Sequence, residues 1–158
     1  VQIKIVQGNL EHMADCIEAH KYSQLGEIYY HPDEEMAELL IDGFNKGEIY
    51  VALDKDRNCL GFIWIALSGA FYGFPYCRIL AVKKDCRGKG VGTALLNHYQ
   101  KMGFAKSGRL FILVSDFNKG ARKLYERLGF IQVGTIPDLF KKGISELILA
   151  KFRPEDES

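Results

Sequence analysis

The run Leu80–Leu96, LAVKKDCRGKGVGTALL, changes character at its middle. Leu80, Ala81 and Val82 end a β-rich stretch, YCRILAV, whereas the residues after Gly90 open an amphipathic segment with Leu95, Leu96 and Tyr99 on one face. Between them stand Arg87, Gly88, Lys89, Gly90, Val91, Gly92 and Thr93. Strand, glycine-rich turn and helix in that order suit an anion. Glycines without Cβ let successive N–H groups converge on one point, and the helix start adds the positive end of its dipole. Charge-assisted hydrogen bonds contribute about 1.5–3 kcal/mol each, so roughly three or four amides anchor a diphosphate, with Arg87 and Lys89 adding charge.

Two familiar phosphate motifs fit this spacing worse. A dinucleotide fingerprint needs GxGxxG and an acidic residue about 20 positions later, whereas the glycines here fall at 88, 90 and 92. No GK[ST] closes a P-loop. The plain structural alternative is a strand-to-helix turn that binds nothing.

Downstream of the turn, RLFILVS reads as a strand, Asn118–Leu128 as a helix, FIQVG as a strand, and SELILAKF as a last strand after the turn KKG, whose Lys141 and Lys142 form a solvated tip. Upstream, EIYVALD and CLGFIWIAL flank KDRN as an antiparallel hairpin, and SGAFYGFP is expected to be a loop. Earlier still, Asp33 is placed to cap a helix after Pro32, with Met36, Leu39, Leu40 and Phe44 on one face and Gly47 near its stop. Asn9 caps a first helix that extends to about Lys21 and is followed by an irregular aromatic stretch, LGEIYYHP, while Val1, Ile3 and Ile5 alternate as a strand. The order βααβββαβαββ describes an α/β domain with a mixed sheet over residues 1–152, with a polar, frayed tail over 153–158.

Composition narrows the function classes. A chain of 158 residues fits one domain that buries about two-thirds of its unfolded surface, and 47% apolar with 26% charged residues is globular usage. A net charge of +1 gives no basic field for nucleic acid or an anionic membrane. VQIKIVQGNLEHM lacks the basic start and apolar run of a leader, and no apolar stretch approaches the roughly 18 residues of a spanning helix, so a cytoplasmic location is expected. Cys16, Cys59, Cys77 and Cys86 form no CxxC pair or zinc spacing, and His12, His20, His31 and His98 do not cluster, so no metal is expected.

The run quoted first resembles the cofactor signature of the GNAT superfamily of N-acetyltransferases: arginine or glutamine, two residues, glycine, one residue, then glycine or alanine. A second block, NKGARKLYERLGF, is similar to that family's later pattern of an asparagine, an alanine three positions on, a tyrosine four further, and a closing glycine and phenylalanine. The resemblance implies a GNAT-like fold with central strands splayed around an acyl-CoA cleft. It also implies direct transfer of an acetyl group from acetyl-CoA to a primary amine of a small molecule or peptide, within a ternary complex. On the same ground, the backbone of Leu80, Ala81 and Val82 would bind the pantetheine arm and the amides from Arg87 through Gly92 the pyrophosphate. Thr93 would add a hydroxyl and Asn118 a further pantetheine contact. A homodimer is the assembly common in that family.

Tyr125 corresponds to the tyrosine that in many members protonates the departing thiolate, although its position also suits a core aromatic. The acceptor side is less complete. An ordinary amine is about 99.9% protonated at pH 7, so freeing its lone pair costs roughly 4–5 kcal/mol. Several members place a glutamate on the strand before the turn; FPYCRILAV has none, and Tyr76 stands in its place with Arg78 close by. Glu27, Tyr30, Tyr72, Tyr76 and Asp116 are the candidate acceptor-binding residues, with Glu146 as a further carboxylate and Tyr29, Phe71 and Phe74 as further cleft aromatics. Two alternatives stay open: an acyl-CoA-binding module without turnover, acting as a sensor or partner subunit, and a nucleotide-binding protein using the same glycine turn.

Overall fold

The computed structural model describes residues 2–154. Seven strands form a mixed sheet: β1 Lys4–Gln7, β2 Ile49–Leu53, β3 Cys59–Ala70, β4 Phe74–Val82, β5 Arg109–Ser115, β6 Ile131–Pro137 and β7 Ser145–Phe152. Their order is β1-β2-β3-β4-β5-β7-β6. The β1–β2, β2–β3, β5–β7 and β6–β7 pairs are antiparallel, and β4 meets β5 in parallel. Among the described residues five α-helices accompany them: α1 Met13–Lys21, α2 Gln24–Ile28, α3 Asp33–Asn45, α4 Val91–Lys106 and α5 Lys119–Arg127.

The expected order therefore gains a helix, βαααβββαβαββ. Part of LGEIYYHP, read as irregular, is the five-residue α2. Ser23 starts it: its Oγ accepts from the Gly26 N–H at 3.0 Å and donates to the His20 carbonyl at 2.6 Å. A Cβ on Gly26 would overlap that carbonyl, so glycine is what lets the short helix fold back on the end of α1. Asp33 is the first residue of α3 rather than its cap; Pro32 takes the cap position, its fixed φ suiting a helix entry. At the other end Gly47, at φ +68, donates to Phe44 O while Glu48 N donates to Gly43 O, the paired bonds that close a helix through a left-handed glycine.

The expected loop SGAFYGFP is mostly strand. β3 continues to Ala70 and β4 begins at Phe74, leaving a tight turn in which Gly73 N donates to Ala70 O at 3.1 Å. Phe71 and Tyr72 occupy it at φ 46 and 68, the left-handed region a right-twisted hairpin favours but which glycine usually fills. At the N-terminus Ile5 and Val6 are both half-buried, so β1 shows no clean alternation, and Val1 lies outside the described residues. Within the expected tail, Arg153 is anchored through N–H to Gly108 O and Nη2 to Phe104 O at 2.6 Å, while residues 155–158 lie outside the description.

The chain divides into two compact units, one running as far as Ile65 and resuming over Ile79–Tyr99, the other made of Ala66–Arg78 and the residues from Gln100 on. In the first unit, α1 and α3 cover the β1–β2–β3 strands with Cys16, Met36, Leu40, Phe44, Ile49, Val51, Phe62 and Trp64 as core. Each large side chain buried there contributes about 1.5–3 kcal/mol. The Trp64 indole keeps its polar end satisfied by donating to Glu48 Oε1 at 3.1 Å. In the second unit, β5 pairs with β7 along its whole length from Arg109↔Phe152 to Ser115↔Glu146. β7 also pairs with β6 from Ile131↔Ala150 to Pro137↔Ser145.

Candidate active site

The glycine turn belongs to the first unit. Gly61 in β3 has no room for a side chain, since a Cβ would lie 2.6 Å from Ala81 O and 2.9 Å from Val82 Cα. That absence lets the end of β4 run close to β3, and the Lys83 N–H donates to Leu60 O at 2.9 Å. Ala81 is buried, whereas Leu80 and Val82 are half-buried. After a single turn at Lys84–Cys86 the chain reaches Gly88 at φ +74 and Gly90 at φ +84. Both are exposed, and a Cβ on either would meet nothing within 4 Å, so the backbone faces open space. Ala94 N donates to Gly90 O, so Gly90 stands at the cap position just before α4, with the first backbone N–H groups of the helix next to the turn.

The charges around the turn are partly committed. Arg87 is exposed, yet its Nη2 donates to Tyr22 O at 2.9 Å and its Nε reaches Val82 O at 3.4 Å, so the guanidinium fastens the end of α1 to the end of β4. Lys83 pairs with Asp15 at 2.5 Å and Glu18 at 3.8 Å. Burial works against its charge, but the hydrogen bond and field of Asp15, helped by Glu18, outweigh it and hold the ammonium above its ordinary range. Lys89 is exposed, as are Glu27 on α2 and Tyr30 just after it.

The second unit holds Tyr125, Asn118, Tyr76, Tyr72 and Asp116. Tyr125 projects from α5 into the interior and stacks edge-on against Phe130. Burial first, and then Cys77 and Tyr76, push its phenol far above the ordinary value, so it remains protonated. Asn118 caps α5, its side chain accepting from Ala121 N at 3.4 Å. Tyr76 is half-buried and its phenol is pushed up to about 12 by burial, then by Cys77 and Glu146, with Arg78 acting in the opposite sense. Tyr72 is fully exposed at the hairpin tip. Asp116 is exposed and closes the β5–β7 ladder: its N–H donates to Ser145 O and its Oδ2 accepts from Ser145 N at 3.0 Å.

Cys77 and Ser115 carry no signal in the sequence motifs, and Glu146, expected as a further acceptor-side carboxylate, lies in the interior with Ser115. Cys77 is buried beside Tyr125, with its thiol pushed up by burial. Ser115 and Glu146 are each only 2% exposed, and the Ser115 hydroxyl lies 2.7 and 2.9 Å from the two oxygens of Glu146. A serine and a glutamate within otherwise apolar strand runs, RLFILVS and SELILAKF, are the one trace they leave in the sequence. Among the described residues, no group of three or more His, Cys, Asp or Glu side chains is placed to hold a metal. Among the described residues, no helix is long and apolar enough to cross a membrane.

The parallel β4 and β5 are linked through the glycine turn and α4, and comparison with known proteins gives this arrangement a family. The profile of the GNAT acetyltransferase family matches residues 15–130, and the chain belongs to that family. It is 33% identical over 107 residues to an uncharacterised N-acetyltransferase of Methanocaldococcus jannaschii, covering 66% of each chain. It is also 33% identical over 101 residues to the mycothiol acetyltransferase of Propionibacterium freudenreichii, covering 60% of this chain and 31% of that one. The chain thus spans just under two-thirds of the first relative's length and about a third of the second's. The crystal structure of Ard1 from Thermoplasma volcanium superposes with a TM-score of 0.81 at 16% identity, over 97% of this chain and 99% of that one. A GNAT-family acetyltransferase from Bacillus cereus gives 0.79 at 14% identity, over 97% and 99%. At such identities the two structures bear on the fold alone.

Proposed function

We propose that this chain is an N-acyltransferase that moves an acetyl group from acetyl-CoA to a primary amine by direct transfer in a ternary complex. The observation that carries the reading is the turn at Arg87–Gly92, where two left-handed glycines face open space at the start of α4. Amides there fit a diphosphate without competition from side chains. The backbone of Leu80, Ala81 and Val82 would hold the pantetheine arm, and Thr93 and Asn118 would add polar contacts. Bound acetyl-CoA supplies an activated thioester. A cytoplasmic setting suits four free cysteines.

Tyr125 is assigned the proton at the sulfur. Its raised pKa fixes how it works. A phenol held above its ordinary value is a weaker acid than a thiol near 8.5, so its main contribution is a hydrogen bond to developing negative charge. Completing the transfer draws on the proton released from the amine side. Tyr76 takes the acceptor side, as the half-buried polar group on β4, with Tyr72 at the hairpin tip and Glu27, Tyr30 and Asp116 as more exposed candidates.

The test is calorimetric titration with acetyl-CoA, followed by thiol release over a panel of primary amines. Binding with thiol release on one amine class supports the transferase. Binding without release on any amine points to an acyl-CoA-binding module, and absence of binding removes the reading.

A further inference from the structure

Two of the four thiols meet inside the first unit. Cys16 lies on α1 and Cys59 opens β3; they are 0% and 5% exposed and belong to one packed core with Leu53, Phe62 and Ala81. The Cys16 thiol donates to the Cys59 sulfur, and the Cys59 thiol in turn donates to Gly61 O at 3.6 Å. Lys83 fixes this meeting from outside. Its N–H donates to Leu60 O at 2.9 Å, next in sequence to Cys59, and its ammonium holds Asp15, next in sequence to Cys16, at 2.5 Å. Each cysteine therefore has a chain neighbour on the same lysine, so α1 and the start of β3 are held together independently of the sulfurs. Sulfurs in hydrogen-bond contact need only close to about 2.05 Å to become a disulfide.

We propose that Cys16 and Cys59 form an oxidisable dithiol, which a hydroperoxide converts to a disulfide that staples α1 to β3. The inference goes beyond the transferase reading and does not rest on it, since neither residue belongs to the cofactor turn or the acceptor side. In the first step the Cys59 thiolate attacks the peroxide: an S–O bond forms, the O–O bond breaks, and the second oxygen leaves as hydroxide, which takes up a proton. In the second step the Cys16 sulfur attacks Cys59: the S–S bond forms, the S–O bond breaks, and the departing hydroxide leaves as water with the Cys16 proton. Two thiols and one hydrogen peroxide thus give one disulfide and two waters, with two electrons passing from sulfur to peroxide oxygen. Cys59 is the sulfur suited to the first step, because it retains some exposed surface. The hydrogen bond from Cys16 outweighs burial and the nearby Asp15 and, with Lys83 acting in the same sense, holds the Cys59 thiol below its ordinary range. The same hydrogen bond, then burial and the Cys59 and Asp15 fields, keep the proton on Cys16. In a reducing compartment such a pair rests as thiols and closes only while oxidant is present.

The experiment treats the reduced full chain with hydrogen peroxide, blocks the remaining thiols with iodoacetamide, and maps peptides without reductant. Trypsin and chymotrypsin together separate Cys59 from Cys77. The expected result is a Cys16–Cys59 peptide pair, lighter by two hydrogens than its separate halves and released by dithiothreitol. The same treatment in urea should scatter cross-links among the four cysteines, because only the fold brings this pair together. Cys16→Ser should arrest Cys59 as a sulfenic acid that dimedone labels, and Cys59→Ser should leave Cys16 a thiol. The thermal midpoint of the oxidised wild type should rise by about 5 °C or more. A native chain that yields no Cys16–Cys59 pair, or the same mixture of pairings as in urea, overturns the proposal. A midpoint that falls on oxidation does so too, since the sulfurs would then close only against the fold. If a serine variant does not fold, the wild-type map and midpoint decide alone.

Discussion

At Gly88 and Gly90 the backbone is exposed and a side chain would project into open space, whereas Cys77, Ser115, Tyr125 and Glu146 are buried and define their surroundings entirely through side chains. On the proposed reading the first region would bind with groups every residue owns, so it would need only the right φ angles and a helix behind it. The second depends on the identity of each residue and on partners brought together from β4, β5, α5 and β7. Backbone recognition suits a cofactor that stays the same, and side-chain recognition suits a substrate that differs among members of a family. Function can therefore be lost at the turn by adding atoms and in the buried cluster by removing them.

The sharpest way to break that contrast is Gly90→Trp, which fills the open space above the turn. Acetyl-CoA affinity should fall by about a thousandfold, the worth of two or three charge-assisted hydrogen bonds. The free energy of unfolding should fall only by the roughly 1–2 kcal/mol that a side chain costs in a left-handed conformation. Retained affinity in calorimetry would mean that the amides are not the cradle. Tyr125→Phe comes next: kcat should drop about a hundredfold with acetyl-CoA affinity unchanged, separating its hydrogen bond to the sulfur from its packing. An unaltered kcat would leave Tyr125 a core residue. The smallest effect belongs to Ser115→Ala, which strips a hydroxyl from the buried Glu146 carboxylate. Urea unfolding should show a loss of about 1–3 kcal/mol, and stability equal to the wild type would show that Ser115 is dispensable to the cluster.

The same contrast explains what the sequence can disclose. Arg87 to Thr93 are contiguous, and glycine at 88 and 90 announces its φ angle by being glycine, so the turn and the helix behind it are readable directly. The strands after it are equally plain, with SELILAKF matching β7 residue for residue. Ser115 and Glu146 meet because β5 and β7 pair in one register, and a shift of one residue would put them on opposite faces. Nothing local in either strand fixes that register. The helix α2 escapes notice for a different reason: five residues are too few for a periodic pattern, and a single Ser23 cap is its main local mark. At the β3–β4 hairpin, glycines at 69 and 73 suggest a loop. Gly69 in fact sits inside the strand, where a Cβ would lie 2.7 Å from that of Ala66.

The guanidinium of Arg87 has a bearing on which residues are exchangeable at its position. Its recorded partners, Tyr22 O and Val82 O, are neutral carbonyls. What they require is N–H donors spread in one plane on a chain of suitable length, and the guanidinium's charge strengthens both bonds. Lysine preserves the charge but concentrates its donors at one point, while glutamine discards the charge and keeps a planar amide. Each replacement at position 87 therefore keeps one half of what the guanidinium offers the two carbonyls and gives up the other.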